Sequence, residues 1–181
     1  MSPRIGFIGL GNMGRPMAER LLGAGFALAV SDRDRARVRA FAGRAAAPAS
    51  LAELGRASDL VITILPDGEA VRGVVAGPGD CVADGLGAGS VVIDMSSASP
   101  VGTRALGQTL AARGIALVDA PVSGGVKRAA DGSLAIMAGG DPAVIERCRP
   151  ILAAMGKQIF LAGPLGCGHA MKALKDRKSV V

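Results

Sequence analysis

Short apolar runs alternate along the chain with longer segments whose apolar positions recur at helical spacing. The runs predict strands at Arg4–Leu10, Ala27–Ser31, Ala45–Ala47, Leu60–Leu65, Val91–Asp94, Ala116–Asp119, Leu134–Ala138 and Gln158–Leu161. The intervening segments predict helices at Met13–Leu22, Asp34–Phe41, Ser50–Gly55, Glu69–Val75, Pro100–Arg113 and Pro142–Met155. Because the alternation is uninterrupted, it indicates an α/β fold with a doubly wound, mostly parallel sheet and helices on both faces.

The composition agrees with a buried parallel sheet. Half of the 181 residues are hydrophobic, yet the chain has four phenylalanines and neither tyrosine nor tryptophan. The core is therefore built from Ala, Val, Leu and Ile, which suits strands that are covered on both faces. The length fits one domain, which we assign to residues 1–163, followed by a short remainder at residues 164–181.

Charge and cysteine content argue against several classes of protein. The net charge is +6, but the basic residues are scattered and there is no set of aromatic rings for bases to stack on, so no nucleic-acid partner is expected. Three cysteines without CxxC spacing argue against a disulfide framework and a metal site, and they fit the reducing cytoplasm. No apolar run approaches the roughly 18 residues of a membrane span.

The segment Gly9–Gly14 reads GLGNMG and lies between the first predicted strand and helix. In this context the first glycine allows a tight turn, the second lets the backbone approach a pyrophosphate, and the third lets helix and strand pack closely. We therefore expect a Rossmann-type dinucleotide site formed by Gly9, Leu10, Gly11, Asn12, Met13 and Gly14. The alternative is a glycine-rich turn with a purely structural role.

Asp32 ends the second predicted strand, where a carboxylate can accept hydrogen bonds from the hydroxyls of an adenosine ribose. Its negative charge occupies the place where the 2′-phosphate of NADP would lie. We therefore expect NAD to be preferred over NADP, with Arg33 beside it able to soften that preference by pairing with a phosphate.

Five segments together resemble the β-hydroxyacid dehydrogenase family, which includes 3-hydroxyisobutyrate dehydrogenase and tartronate semialdehyde reductase. They read GFIGLGNMGRPMA, ILPD, DMSSASP, DAPVSGG and GCGHAMK, and they span residues 6–172 in the order of that family. The resemblance implies an NAD(P)-dependent oxidoreductase that interconverts a small β-hydroxy acid and its semialdehyde. It also implies an all-helical domain, missing from this chain, through which the full-length protein would form a homo-oligomer.

The resemblance assigns further residues to the site. It places Leu65, Pro66 and Ser97 against the cofactor, and it makes Ser123, Gly124 and Gly125 the binding segment for the substrate carboxylate. A serine hydroxyl beside two unhindered backbone N–H groups suits a carboxylate. An alternative for Ser97 is an ordinary helix cap before Pro100. The alternative for the Ser123–Gly125 segment is a flexible loop without a binding role.

The family's catalytic lysine corresponds to Lys172, which would accept the alcohol proton in oxidation and return it in reduction. Without the resemblance, Lys172 would be interpreted as a solvated lysine on a helix surface. His169 is the sole histidine, and because it begins a predicted helix, packing or capping is favoured over metal binding. Asp94 and Asp119 end strands, where capping of the following turns accounts for them.

The chain departs from the family after Leu174. Lys175 stands near the place of a family asparagine, and Asp176–Val181 offers no apolar face to extend the helix. Back-translated as GAT CGG AAG AGC GTC GTG, this hexapeptide resembles a common sequencing adapter. We therefore expect residues 175–181 to be non-native, Lys172 to lie on a frayed and solvated end, and the fragment to be nearly inactive.

Two other functions remain open on sequence alone. One is a non-catalytic dinucleotide sensor or scaffold of the same fold, and the other is an enzyme similar to the imine reductases. Lys172 together with the Ser123–Gly125 segment favours the dehydrogenase, since a scaffold need retain neither feature.

Overall fold

The computed structural model describes residues 2–178, and its core is a parallel five-stranded sheet. The strands are β1 Ile5–Ile8, β2 Leu28–Ser31, β3 Leu60–Thr63, β4 Val91–Asp94 and β5 Ala116–Asp119. They lie side by side in the order β2-β1-β3-β4-β5, so the chain reverses its direction of winding after β2. All carboxyl ends of these strands therefore meet at one edge, where open α/β sheets bind ligands.

A smaller set of strands extends the sheet beyond β5. These strands are β6 Val122–Ser123, β7 Leu134–Gly139 and β8 Gly156–Gly163. β7 runs antiparallel to β6 and to the end of β5, whereas β8 runs parallel to β7. β7 is buried along its length, and β8 is mostly exposed.

Helices connect the strands within the described range. Their bounds are α1 Gly14–Gly23, α2 Arg35–Arg39, α3 Leu51–Arg56, α4 Gly68–Ala76, α5 Pro100–Ala111, α6 Gly125–Asp131, α7 Pro142–Met155 and α8 Cys167–Lys178, with one 3-10 turn at Val82–Asp84. Four of these helices are capped by the side-chain oxygen of their own N-cap residue: Asp34, Ser50, Asp67 and Asp141.

Alternate residues of the strands point to opposite faces of the sheet and build two apolar layers. Phe7 and Ile62 belong to the layer that packs against α1 and α7. Ile8 and Val61 belong to the layer on the other face, which includes residues of α3, α4 and α5. This two-sided burial accounts for the continuous apolar runs in the sequence and confirms the predicted fold class.

Several local predictions were wrong. The strand expected at Ala45–Ala47 is a single bridge between Ala29 and Ala46. The two-residue strand β6 and helix α6 were not predicted. The sequence pattern did not indicate α6 because this short helix buries a single residue, Ala129.

The C-terminal segment also differs from expectation. α8 continues to Lys178, so the helix does not end where its apolar pattern stops after Leu174. The remainder of the predicted non-native segment, residues 179–181, lies outside the described residues. Across residues 2–178, no helix combines the length and apolar character that a membrane crossing requires.

Candidate functional site

A cleft of about 1200 Å³ opens at the carboxyl edge of the parallel strands. Loops after β1, β2, β3, β4 and β6 contribute to it, and α8 contributes Lys172. The cleft brings together nearly all of the residues predicted from sequence: Gly9, Gly11, Asn12, Met13, Gly14, Asp32, Arg33, Leu65, Pro66, Ser97, Ser123, Gly124, Gly125 and Lys172. The predicted residue that does not line it is Leu10, whose side chain is buried.

The three glycines of the loop after β1 differ in what a side chain at each position would meet. Gly9 has φ +100°, and a Cβ there would lie 2.2 Å from the carbonyl oxygen of Ile64. A Cβ on Gly14 would lie 1.8 Å from the carbonyl oxygen of Gly9. Gly11 is different, because its nearest neighbour would be the Arg37 side chain at 3.6 Å. Gly9 and Gly14 therefore serve the packing of the loop, whereas Gly11 keeps backbone exposed to the cleft.

The carboxylate of Asp32 is tied to the backbone at both oxygens. Oδ2 accepts the N–H of Leu10 at 2.6 Å, and Oδ1 accepts the N–H of Asp34 at 2.8 Å. The side chain is 6% exposed, with Arg37 Nη1 at 3.6 Å from Oδ2. Asp32 therefore holds the glycine loop against the end of β2, a role that the sequence pattern did not reveal.

Three arginines line the cleft around Asp32: Arg33, Arg35 and Arg37. Only Arg33 was predicted from the sequence. The other two project from α2, where alternating arginines gave no signal that distinguished them from a solvated helix surface. The cleft thus presents one carboxylate and three guanidinium groups at this end.

Another carboxylate, that of Asp80, lies on the rim of the cleft beside α3. It accepts the backbone N–H groups of Leu51 at 2.7 Å and Ala52 at 2.9 Å. These two hydrogen bonds lower the pKa of Asp80 below its usual range, since they favour the ionised form. Asp80 was missed because it is distant in sequence from the helix whose N–H groups it binds.

The loops after β3 and β4 are joined by Ser96, whose hydroxyl oxygen accepts the N–H of Leu65 at 2.9 Å. Ser97, which the resemblance selected, is exposed and lines the cleft. Ser99, and not Ser97, precedes α5 at the N-cap position. The helix-cap alternative for Ser97 is therefore wrong.

The segment Ser123–Gly125 joins β6 to α6 on the same side of the cleft as Lys172. Gly124 and Gly125 both have positive φ, +138° and +68°. Lys172 is not frayed or solvated as predicted: its side chain is 17% exposed, and its Nζ donates to Asp176 Oδ1 at 2.7 Å. Lys175, one turn ahead, donates to the hydroxyl of Ser123.

His169 is 1% exposed and lies between the carboxylates of Asp94 and Asp119. Asp119 accepts the N–H groups of Gly166 and His169, so it caps α8 and not the turn that follows its own strand. Asp94 accepts the N–H of Ser96 in its following turn, as predicted. The ring of His169 contacts the Thr103 hydroxyl and the backbone oxygen of Ser96. No group of three or more His, Cys, Asp or Glu side chains within residues 2–178 is arranged to hold a metal ion.

A parallel sheet with a reversal of winding, a glycine loop at its first turn and an acidic residue after β2 define a dinucleotide-binding domain. Residues 4–163 match the family model described as the NAD binding domain of 6-phosphogluconate dehydrogenase. The chain belongs to this family of NAD-binding domains.

Curated relatives and solved structures agree with this assignment and confirm the resemblance to the β-hydroxyacid dehydrogenases. The chain is 43% identical over 176 residues to 2-(hydroxymethyl)glutarate dehydrogenase of Eubacterium barkeri, covering 97% of this chain and 58% of that protein. It is 39% identical over 175 residues to NAD-dependent L-serine dehydrogenase of Pseudomonas aeruginosa, covering 96% of this chain and 58% of that protein. The chain therefore spans under two thirds of the length of these relatives.

A solved structure of Mycobacterium tuberculosis 3-hydroxyisobutyrate dehydrogenase with L-serine superimposes with a TM-score of 0.91. The sequence identity is 37%, and the match covers 97% of this chain and 60% of that chain. The similarity thus extends over the whole described sheet and its helices.

Proposed function

We propose that this chain is the cofactor-binding part of an NAD(P)-dependent oxidoreductase that interconverts a small β-hydroxy acid and its semialdehyde. The observation that carries the proposal is the convergence of the glycine loop, Ser123–Gly125 and Lys172 on one cleft. The relatives support the substrate class, since they include dehydrogenases of 2-(hydroxymethyl)glutarate and of L-serine. The substrate itself would be a small carboxylate, and the whole protein would be a homo-oligomer.

The residues present fit a dinucleotide. Gly11 leaves its backbone open to the cleft, where a Cβ would project toward the space in which a pyrophosphate would lie. No side-chain oxygen of the described residues caps α1. Because the N–H of Arg15 is bonded to the carbonyl of Gly11 and Pro16 has no N–H, the donor of the first turn that is available to an anion is the N–H of Gly14. When bound, the nicotinamide supplies the hydride acceptor or donor.

NAD is the preferred cofactor in this proposal. Asp32 would bind the ribose hydroxyls, and its negative charge would oppose a 2′-phosphate. Arg33, Arg35 and Arg37 temper that preference because guanidinium groups bind phosphate well. The preference is therefore expected to be moderate.

At the other end of the cleft, Ser123 Oγ and the N–H groups of Gly124 and Gly125 would hold the substrate carboxylate. Lys172 Nζ would take the hydroxyl proton during oxidation and return a proton to the carbonyl oxygen during reduction. Leu65, Pro66 and Ser97 would enclose the reacting end of the cleft and limit access of water.

Two contacts in this chain oppose the reaction. Lys172 Nζ is paired with Asp176, so this contact competes with the substrate hydroxyl for the amine. Lys175 binds the hydroxyl of Ser123 that the carboxylate would use. We therefore propose that the 181-residue chain binds cofactor but turns over little, and that Lys175→Asn with Asp176→Asn improves binding of the acid.

The test uses NMR to measure the binding of a small β-hydroxy acid to the chain saturated with NADH. We expect the free acid to shift the signals of Ser123–Gly125 and its methyl ester to leave them unchanged, because the ester lacks the charge. Lys172→Met should weaken binding of the acid, whereas Lys157→Met, an exposed control with the same loss of charge, should not. Equal binding of acid and ester would contradict the proposal.

The foreign origin of residues 175–181 stays a prediction. Sequencing the source DNA tests it: a reading frame that continues from an asparagine codon into helical sequence supports it. A genuine frame that ends in DRKSVV and a stop codon refutes it.

A further inference from the structure

Helix α8 is buried at its first turn and exposed toward its end. Gly168 and His169 are buried, whereas the side chains of residues 173–177 are all exposed. Lys172 lies between these parts, roughly 7 Å along the helix axis from Cys167. The direction in which α8 leaves its first turn therefore decides where Lys172 lies.

The carboxylate of Asp119, at the end of β5, holds this first turn. Oδ1 accepts the N–H of Gly166 and Oδ2 accepts the N–H of His169, both at 2.7 Å. The Asp119 side chain is 0% exposed, so water does not compete for these hydrogen bonds. Because the two oxygens bind N–H groups three residues apart, they fix the rotation of the turn as well as its position.

Two glycines let the same turn lie directly against β7. A Cβ on Gly168 would lie 2.2 Å from the carbonyl oxygen of Met137, within that buried strand. A Cβ on Gly139, the last residue of β7, would lie 2.8 Å from the backbone nitrogen of Gly168. A side chain at either position would therefore push α8 away from the sheet.

A further contact joins the start of α8 to α5. Leu165, in the loop before α8, packs against the apolar layer that includes α5. A Cβ on Gly107 would lie 2.3 Å from Leu165 Cδ2, so the leucine fills the space that a side chain at Gly107 would need. Glycine weakens the interior of a helix, and at Gly107 the gain is room for this leucine. The contact supports the first turn from the side opposite β7.

The polar contacts of the later turns are exposed. Lys172 pairs with Asp176 within α8 itself, so this pair cannot orient the helix as a whole. Lys175 is exposed and donates to the hydroxyl of Ser123. Exposed contacts of long side chains hold little because water competes for both groups. The buried contacts of the first turn are therefore expected to determine the direction of α8.

We propose that Asp119, Gly168 and Leu165 position α8 and thereby place Lys172 in the cleft. They are positioning residues, because the described walls of the cleft include Lys172 but none of the three. The expected effect on acid binding rests on the function proposed for Lys172. The expected effect on the direction of α8 does not.

Residual dipolar couplings of backbone amides measure the direction of α8 in the weakly aligned, ¹⁵N-labelled 181-residue chain. The couplings of β1 to β5 define the frame of the sheet. Gly168→Ala and Leu165→Ala should each change the couplings of α8 relative to that frame, while the couplings of the sheet keep their values. Unchanged α8 couplings in both variants would overturn the proposal. If Gly168→Ala does not fold, Leu165→Ala decides.

Three control variants should leave the direction of α8 unchanged. Gly73→Ala is the same substitution within a helix, at a position where a Cβ would meet no atom within 4 Å. Leu174→Ala truncates a leucine of α8 that is 64% exposed. Lys175→Ala removes the contact with Ser123. Reorientation of α8 in Lys175→Ala as large as that in Leu165→Ala would contradict the proposal.

A double-mutant cycle tests the link to Lys172, with 3-hydroxypropionate as the probe and the chain saturated with NADH. Leu165→Ala should weaken binding of the acid by roughly threefold or more when Lys172 is present. In the background of Lys172→Met, Leu165→Ala should have no further effect, since the direction of α8 then matters little to the acid. Equal weakening in both backgrounds would show a general disturbance of the cleft and contradict the positioning role.

The two measurements separate this inference from the proposed function. If α8 reorients as expected but Lys172→Met does not weaken acid binding, the function proposed for Lys172 is refuted and the positioning of α8 stands. If Lys172→Met weakens acid binding but α8 keeps its direction in Gly168→Ala and Leu165→Ala, the positioning is refuted and the proposed function stands.

Discussion

The carboxylate of Asp32 accepts the backbone N–H of Leu10 at 2.6 Å, across 22 residues of sequence. A side chain at the end of β2 therefore holds the glycine loop that follows β1. Leu10 makes this contact through its backbone N–H, and its side chain is buried. Under the proposed function, the residue that would bind the cofactor ribose also shapes the loop that would hold the pyrophosphate.

We predict that Asp32→Asn narrows the difference in affinity between NADH and NADPH. The substitution removes the charge that opposes a 2′-phosphate, so NADPH should gain relative to NADH by roughly tenfold, the size expected for one interaction with a charged group. Titrations that follow the cofactor's fluorescence can measure both affinities, since the protein has no tryptophan or tyrosine.

The matched control is Asp34→Asn, which makes the same change of charge two residues away. Asp34 is half-exposed and caps α2 through the N–H of Ala36, a role that asparagine also fills. This variant should keep the original ratio of affinities. A ratio that shifts equally in both variants would show that Asp32 has no particular place in cofactor choice.

A second prediction separates the two kinds of glycine in the loop. Gly14→Ala should lower the free energy of unfolding by about 1–3 kcal/mol, because the new Cβ would overlap the carbonyl of Gly9. Gly11→Ala should leave stability within about 0.5 kcal/mol but weaken binding of NADH, since its Cβ would make only an ordinary contact with the Arg37 side chain, at 3.6 Å, on the wall of the cleft. Denaturant unfolding and NADH titration measure the two effects. Equal effects of both substitutions on stability would contradict this division of roles.

The proposed carboxylate segment gives a third prediction. Ser123→Ala should weaken binding of a β-hydroxy acid to the NADH-bound chain, and Gly124→Val should weaken it further. Gly124 has φ +138°, and a Cβ there would lie 2.5 Å from Arg128 Cδ, so valine distorts the segment. Ser133→Ala is the control, because it removes a hydroxyl that donates to Asp131 outside the cleft. Unaltered acid binding in Ser123→Ala would exclude its hydroxyl from the site.

Asp80 gives a prediction about pH. Its pKa is lowered in the folded protein by the N–H groups of Leu51 and Ala52, so the ionised form is favoured by folding. The stability it contributes is therefore present above the ordinary carboxyl pKa of about 3.9 and is lost as pH falls through the lower folded value. Asp80→Asn should destabilise the protein near pH 7, and the difference from the unmodified protein should shrink below about pH 4. A difference that does not vary with pH would contradict this account.

Much of the fold was predictable because the strands of the five-stranded parallel sheet are buried on both faces and therefore form continuous apolar runs. The boundaries of β4, β5 and α7 agree with the sequence pattern. Helix α6 was missed because its one buried residue, Ala129, leaves no apolar periodicity.

The site was predictable where it depends on short motifs and not where it depends on distant contacts. The glycine loop can be predicted from a short stretch of sequence, since its turn needs glycine at fixed spacing. By contrast, Asp119 caps α8 across 47 residues, and no local pattern shows that partner. Past Leu174, α8 carries the Lys172–Asp176 pair at i,i+4 spacing, a contact that the apolar pattern does not reveal.

The central claim is that the cleft binds a nicotinamide dinucleotide through the loop after β1. An amide NMR titration of the 181-residue chain with NADH tests it most directly. We predict saturable shifts of the amides at residues 9–14 and of Asp32, with the amides of β8 unaffected. Absence of saturable binding, or shifts confined to residues outside the cleft, would contradict the account.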